Sequence, residues 1–253
     1  MTGPARTVSA LGELEVRGSD GDAGPVLDVF FDDRGWVVTH VVVDAERWAP
    51  HGEHVLVPIN YVRESGDGPL EVDMTRRQIE HGRRAERVAH AGHEHRRDLI
   101  SVYGDETIAA GAATRAPMIT PQPPEAIPAR EVLPRDDVFE EETDPHLVSA
   151  RDVMGYHVAA TDGDIGHVKD LVVGRDWLLR YAIVEWGHWH RGHPVVIGVD
   201  WIERIDWRER RVRVSVTRAA VRDAPPYEPS RPFDRAYEEA LHEYHGRPGY
   251  RSG

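Results

Sequence analysis

The sequence predicts an all-β protein: two small six-stranded β-barrels in tandem, each with short helical elements, joined by a proline-rich acidic linker. Three observations predict it. The chain repeats itself, each copy reads as short apolar runs between turn signals, and the stretch between the copies has neither property. Asp20-Gly21-Asp22-Ala23-Gly24-Pro25-Val26-Leu27-Asp28 answers Asp162-Gly163-Asp164-Ile165-Gly166-His167-Val168-Lys169-Asp170. The shared core is Asp-Gly-Asp-x-Gly-x-Val-x-Asp. Self-similarity sets domain count before any other reading, and a spacing this long marks two copies of one domain, not a solenoid. The match runs on in order. His40-Val41-Val42-Val43-Asp44 answers Tyr181-Ala182-Ile183-Val184-Glu185, with Trp48 and Trp189 each four residues past the acid. Val55-Leu56-Val57-Pro58 answers Val195-Val196-Ile197-Gly198, Tyr61 answers Trp201, and Val72 to Arg76 answers Val214 to Arg218.

In the second copy, Met154 to Ala160 alternates loosely as a first strand. Asp162-Gly163-Asp164 is a hairpin turn, because Asp-Gly supplies the positive-φ positions such turns need. Ile165 to Val173 is the second strand, and Gly174-Arg175-Asp176 turns the chain. Leu178 to Trp186 is the third, Val195 to Val199 the fourth and Trp201 to Asp206 a short fifth. Val212-Arg213-Val214-Ser215-Val216 alternates as a half-buried sixth strand should. Thr217 caps a helical turn, Arg218 to Asp223, which Pro225-Pro226 stops. The first copy follows the same plan, with turns at Asp33-Arg34-Gly35 and Gly66-Asp67-Gly68-Pro69. Short strands with turns every 8–12 residues mean a barrel or sandwich, and closure hides the exposed edges.

Between the copies, Asp105 to Asp144 holds Pro117, Pro121, Pro123, Pro124, Pro128 and Pro134, then Asp136-Asp137 and Glu140-Glu141-Glu142. Prolines remove backbone donors and the acids repel one another, so this is a linker. Near the C-terminus, Tyr237, Leu241 and Tyr244 fall at i, i+4 and i+7. They predict a helix capped by Asp234, ended by Gly246 and docked through that stripe. Leu99 lies five residues before Gly104, as Leu241 lies before Gly246, which predicts a reduced version on the first copy. The boundaries are 8–104 for the first domain, 105–147 for the linker and 148–250 for the second domain.

Composition narrows the function. The chain has 253 residues and no cysteine. Disulfides, thiolate metal sites and thiol nucleophiles are therefore excluded. The net charge of −13 opposes nucleic acid and anionic lipid. Arginine clusters at Arg83, Arg84 and Arg87, and at Arg208, Arg210, Arg211 and Arg213, read as solvated faces. No apolar run reaches the roughly 20 residues that span a bilayer. The first residues lack a charged region followed by an apolar stretch, so no signal peptide is expected. A soluble cytoplasmic protein without membrane insertion follows as the expectation.

The acidic motif resembles the start of a calcium loop, but position twelve, where a carboxylate is needed, is Phe31 or Val173. A hairpin turn is the better reading. Asp28 and Asp170 fall within apolar strands, where an aspartate accepts backbone hydrogen bonds or pairs with arginine. The alternative for them is a proton relay. His188, His190 and His193 form the sharpest metal candidate, since imidazole is a common zinc or nickel ligand. Only Glu185 could complete that set, so an exposed loop is expected and no metal or other cofactor is assigned. His90, His93 and His95 read likewise. The chain has no Gly-x-Ser-x-Gly, phosphate loop, His-Glu-x-x-His or dinucleotide fingerprint. Trp48, Trp186, Trp189, Trp201 and Trp207 read first as barrel plugs and loop anchors. Aromatics are also enriched where proteins meet, so Trp48, Trp189, Trp201, Tyr237 and Tyr244 are the interaction candidates.

With these residues in view, the second copy resembles the PRC-barrel family. That small barrel is shared by the cytoplasmic domain of the photosynthetic reaction centre H subunit and the C-terminal domain of the ribosome maturation factor RimM. The residues carrying the resemblance are Asp162 to Asp170, Arg180-Tyr181-Ala182-Ile183-Val184, Val195-Val196-Ile197 and Val214-Ser215-Val216-Thr217-Arg218. The tail from Tyr227 to Tyr250 is similar to that of bacterial proteins with two such barrels. The resemblance implies PRC-type barrels and no catalytic residues. The expected function is non-enzymatic: a protein-interaction or assembly module, in a setting such as stress response, with an unnamed protein partner and homo-oligomerisation open. Two alternatives stand beside it. One is small-molecule or metal binding in an inter-barrel cleft or at the His188, His190 and His193 loop. The other, implied by the family alone, is an accessory of photosynthetic electron transfer.

Overall fold

The computed structural model describes residues 5–49, 54–63, 68–82, 146–186, 194–228 and 233–246. The linker expected over 105–144, the Leu99 echo and the loop with His188, Trp189, His190 and His193 lie outside them. The described residues form two curled sheets of seven strands each, so the all-β expectation holds at that level. The first half supplies β1 (Arg6–Thr7), α1 (Val8–Leu11), β2 (Glu15–Gly18), β3 (Gly21–Asp32), β4 (Val37–Asp44), β5 (His54–Pro58), β6 (Val62–Arg63), β7 (Leu70–Val72) and α2 (Arg76–Glu80). The second supplies β8 (Leu147–Ser149), α3 (Ala150–Val153), β9 (His157–Ala160), β10 (Gly163–Val173), β11 (Leu179–Trp186), β12 (Val195–Gly198), β13 (Ile202–Asp206), β14 (Arg211–Val214), α4 (Arg218–Arg222) and α5 (Arg235–Tyr244).

The strand order is the same in both sheets, β5-β4-β3-β2-β7-β6 and β12-β11-β10-β9-β14-β13. Each has one parallel pair, β2 with β7 and β9 with β14, and antiparallel neighbours otherwise. Valine and isoleucine dominate the central strands, where branched side chains suit a pleated, buried surface. Alternation sends Val29, Phe31, Val41, Val43, Val55 and Val57 into the main core. Phe30, Val42 and Leu56 go to the opposite face, where they cluster with Leu147. The long strands β3 and β10 bend at matching irregularities, between Val26 and Asp28 and between Val168 and Asp170. An extra residue there shifts the alternation and increases the local twist.

The seventh strand of each sheet comes from the other half of the chain. Arg6 and Thr7 pair with Val173 and Val172 of β10. Reciprocally, Leu147, Val148 and Ser149 pair with Asp32, Phe31 and Phe30 of β3. A third contact joins the starts of β4 and β11. Val38 N–H donates to the Trp177 carbonyl and Leu179 N–H to the Trp36 carbonyl, both at 2.7 Å, around the pair Val37 and Leu178. These contacts are related by a pseudo-two-fold axis that passes between Val37 and Leu178.

Two local expectations are corrected. The strand expected from Met154 begins at His157, because Ser149 caps a helical turn that occupies Ala150–Val153. The C-terminal helix is capped by Asp234 as expected, and Gly246 follows it in the left-handed region at φ 61°. Its buried stripe differs. Leu241 is fully buried and Tyr237 half-buried, but Tyr244 is exposed and His242 is buried in its place.

Candidate functional site

The three aspartates shared by the repeated motif take corresponding roles in the two halves. The first aspartate caps a helical turn: Asp20 accepts Arg76 N–H at 2.8 Å and Asp162 accepts Arg218 N–H at 2.7 Å. Thr75 and Thr217 are the N-cap residues of those turns. The following glycines, Gly21 and Gly163, sit at φ 140° and 138°, where only glycine is comfortable. The third residue makes an ion pair, Asp22 with Arg17 at 3.2 Å and Asp164 with Arg211 at 2.9 Å. The fifth, Gly24 or Gly166, lies against the next strand. A Cβ there would fall 2.0 Å from the Asp44 carbonyl oxygen or 1.9 Å from that of Glu185.

The last aspartate reaches across the seam between the halves. Asp170 Oδ1 accepts Ser9 N–H at 3.2 Å and Leu171 N–H at 2.8 Å. Asp28 Oδ1 accepts Arg151 N–H at 3.2 Å and Val29 N–H at 2.8 Å, and its Oδ2 accepts the Ser149 hydroxyl. Ser9 and Arg151 occupy the second position of α1 and α3, whose own caps, Thr7 and Ser149, accept the amides of Ala10 and Asp152. Each half therefore completes the helix start of the other, because the first amides of a helix have no intrahelical partner. Asp28 carries a perturbed carboxyl. Burial against the crossing segment raises it from 3.8 to about 6, although Ser149, Val29 and Arg151 all favour the charged form.

Under α5 lies a second polar network. The Tyr181 hydroxyl donates to Glu238 Oε1 at 2.8 Å and lies 2.7 Å from His242 Nε2. A phenol has one proton, so His242 must donate through Nε2–H. Tyr181 also packs on Phe233, with ring centroids 4.8 Å apart, and Trp201 meets His242 and His245. The Tyr237 hydroxyl donates to the Pro225 carbonyl at 3.1 Å, and burial pushes its phenol upward. Burial, and then the Asp170 carboxylate, push Tyr227 the same way.

The interaction candidates separate accordingly. Trp201 is wholly buried, so it is core and cannot itself meet a partner in this state. The 3-10 turn Val199–Trp201 turns it inward, where its ring lies against those of His242 and His245 on the C-terminal segment. Trp48 is half-buried and donates to the Ala23 carbonyl at 2.7 Å, an anchor for its loop. Tyr237 is packed as described. Tyr244 is 44% exposed, and Tyr61, the first-half counterpart of Trp201, is 42% exposed. Two described clusters have metal-ligand composition: Asp32, Asp33 and His146, and Asp44, Glu46 and His54. In the first, His146 Nδ1 and Asp33 Oδ1 are already paired at 2.8 Å. An open cleft of about 280 Å³ is lined by Asp162, Trp186, Arg218, Ala219 and Arg222.

Sequence reasoning missed Thr7, Ser149, Tyr181, Glu238 and His242. For the first two a signal was present: Thr7-Val8 to Leu11 and Ser149-Ala150 to Val153 place a cap and two apolar residues at the same offset as the motif. No protein-family model matches the chain, and no curated protein matches it.

Proposed function

We propose that this chain is a non-enzymatic tandem PRC-barrel protein that serves as a protein-interaction or assembly module. One observation carries the reading: the acidic motif, its most distinctive chemistry, is spent on structure in both halves. Its carboxylates cap helix starts or pair with arginine, and its glycines allow a turn and a close approach. The pseudo-two-fold arrangement suits a scaffold, since it fixes two similar surfaces in one geometry. Among the described residues, exposed Tyr61 and Tyr244 are aromatic anchors available to a protein partner.

The test places a photoreactive residue at 61 or 244 in the full chain and irradiates it in its native cells. The reading expects one protein to be crosslinked from these positions and lost when the other tyrosine is changed to serine. Diffuse labelling equal to that from an exposed polar control such as Glu46 would refute it.

A further inference from the structure

Apart from a bridge between Ala5 and Phe233, the backbone pairings that join the two halves among the described residues fall in matching short segments. They are Arg6 to Leu11 on β10, Leu147 to Val153 on β3, and the tips around Val37 and Leu178. Each contact uses the same surface from both halves, as in an isologous dimer interface, where residue i meets j and j meets i. The chemistry is specific. A short strand adds to the edge of a long one, a Thr or Ser caps the turn that follows, and two apolar residues are buried behind it. Those residues are Val8 and Leu11 on one side and Ala150 and Val153 on the other, each 5% exposed or less. The facing aspartate then takes the second amide of the turn.

We infer that the two repeats recognise one another as separate modules would. The strand and helical turn that open each repeat are the ligand of the other. The partner that fits this surface is a second repeat of this same kind. Within one chain it is the other half, and between chains it is the opposite half of a second copy. This inference stands whether or not the chain binds any other protein.

Strand addition of this kind takes its affinity from main-chain pairing and its specificity from the side-chain pockets beside it. Asp33 N–H donates to the His146 carbonyl at 3.1 Å, which marks that pair as hydrogen-bonded. Antiparallel pairs alternate, so Phe31 and Val148, two residues along, exchange both bonds. Proline at Val148 removes one of them and leaves the other six strands of the first sheet, and the whole of the second, their own pairings.

The experiment inserts a protease site between residues 105 and 144 of the full chain and cuts it after folding. On size exclusion with light scattering, the cut protein should elute as one species at the 28.5 kDa of the intact chain, with both fragments in equal amount. Two cut preparations, one tagged on each repeat, should yield doubly tagged complexes after joint unfolding and refolding. Cut Val148→Pro protein should separate where the cut parent does not. Fragments of the parent that elute apart while each retains a β-sheet circular dichroism spectrum would overturn the inference, as would absence of doubly tagged complex. Cut Val148→Pro protein as firmly associated as the parent would overturn the role of the crossing strand. If that variant does not fold, the hybrid arm decides on the unmodified sequence.

Discussion

Asp28 makes the seam respond to pH, and in a direction opposite to that of most paired carboxylates. Its proton is held more tightly in the folded chain, at about 6, than the ordinary 3.8. A raised folded value means that protonation favours the folded state. The contribution is fully present below 3.8 and is lost as pH rises through about 6. The interval corresponds to roughly 3 kcal/mol, at 1.36 kcal/mol for each pH unit. The perturbation is Asp28→Asn, which stays neutral and keeps one carbonyl acceptor for Val29 and Arg151. Stability by urea denaturation would be measured for both proteins at pH 7.5 and pH 4.5. Other carboxylates titrate over the same range, but they do so in both proteins, and the difference between the two cancels them. The parent should gain about 2 kcal/mol relative to the variant on going to pH 4.5, because the full contribution is reached only below 3.8. A difference that stays flat would refute the account of Asp28 as a buried, charged acceptor.

Leu241→Ala should cost ~2–4 kcal/mol, the usual loss for a buried leucine, since Leu241 is fully buried on α5; thermal or chemical denaturation reads it, and a loss near zero would mean that α5 is not docked in solution. Gly166→Ala should cost on the order of 3 kcal/mol, because the new methyl would meet a backbone carbonyl, which yields less easily than a side chain. Gly24→Ala should cost more, since φ 115° adds backbone strain to the same clash.

The strands were legible where period and turn chemistry agreed. Asp162-Gly163-Asp164 announces a hairpin through one local requirement, a positive φ, and the backbone supplies it at Gly163. Gly166 was not legible in the same way. Its reason is the Glu185 carbonyl on a neighbouring strand, and no local property of the sequence reports that approach. The crossing strands were hidden for a different reason. In a tandem repeat, Val148 presents the same pattern to the long strand of either copy, so apolar periodicity cannot distinguish pairing with self from pairing with the other. The aromatic stripe over 237, 241 and 244 failed on chemistry. His242 takes the buried place, where the Tyr181 hydroxyl satisfies its ring nitrogen, whereas Tyr244 lies exposed. Trp201 shows the limit of reading aromatics as surface anchors, since residue type does not reveal which face of a turn is covered.

The pairing of Arg6 with Val173 also sets an order of events during synthesis. β1 leaves the ribosome well before β10, and its place in a sheet does not exist until β10 has been made. Meanwhile the nearly finished first sheet has an unfilled edge along β3, waiting for Leu147 to Ser149. Contacts this distant in sequence are slow to form, because the closing entropy comes due before the pairing is gained. A nascent chain therefore passes through a stage with an open strand edge and an unclaimed strand, the combination that invites pairing with a neighbouring nascent chain.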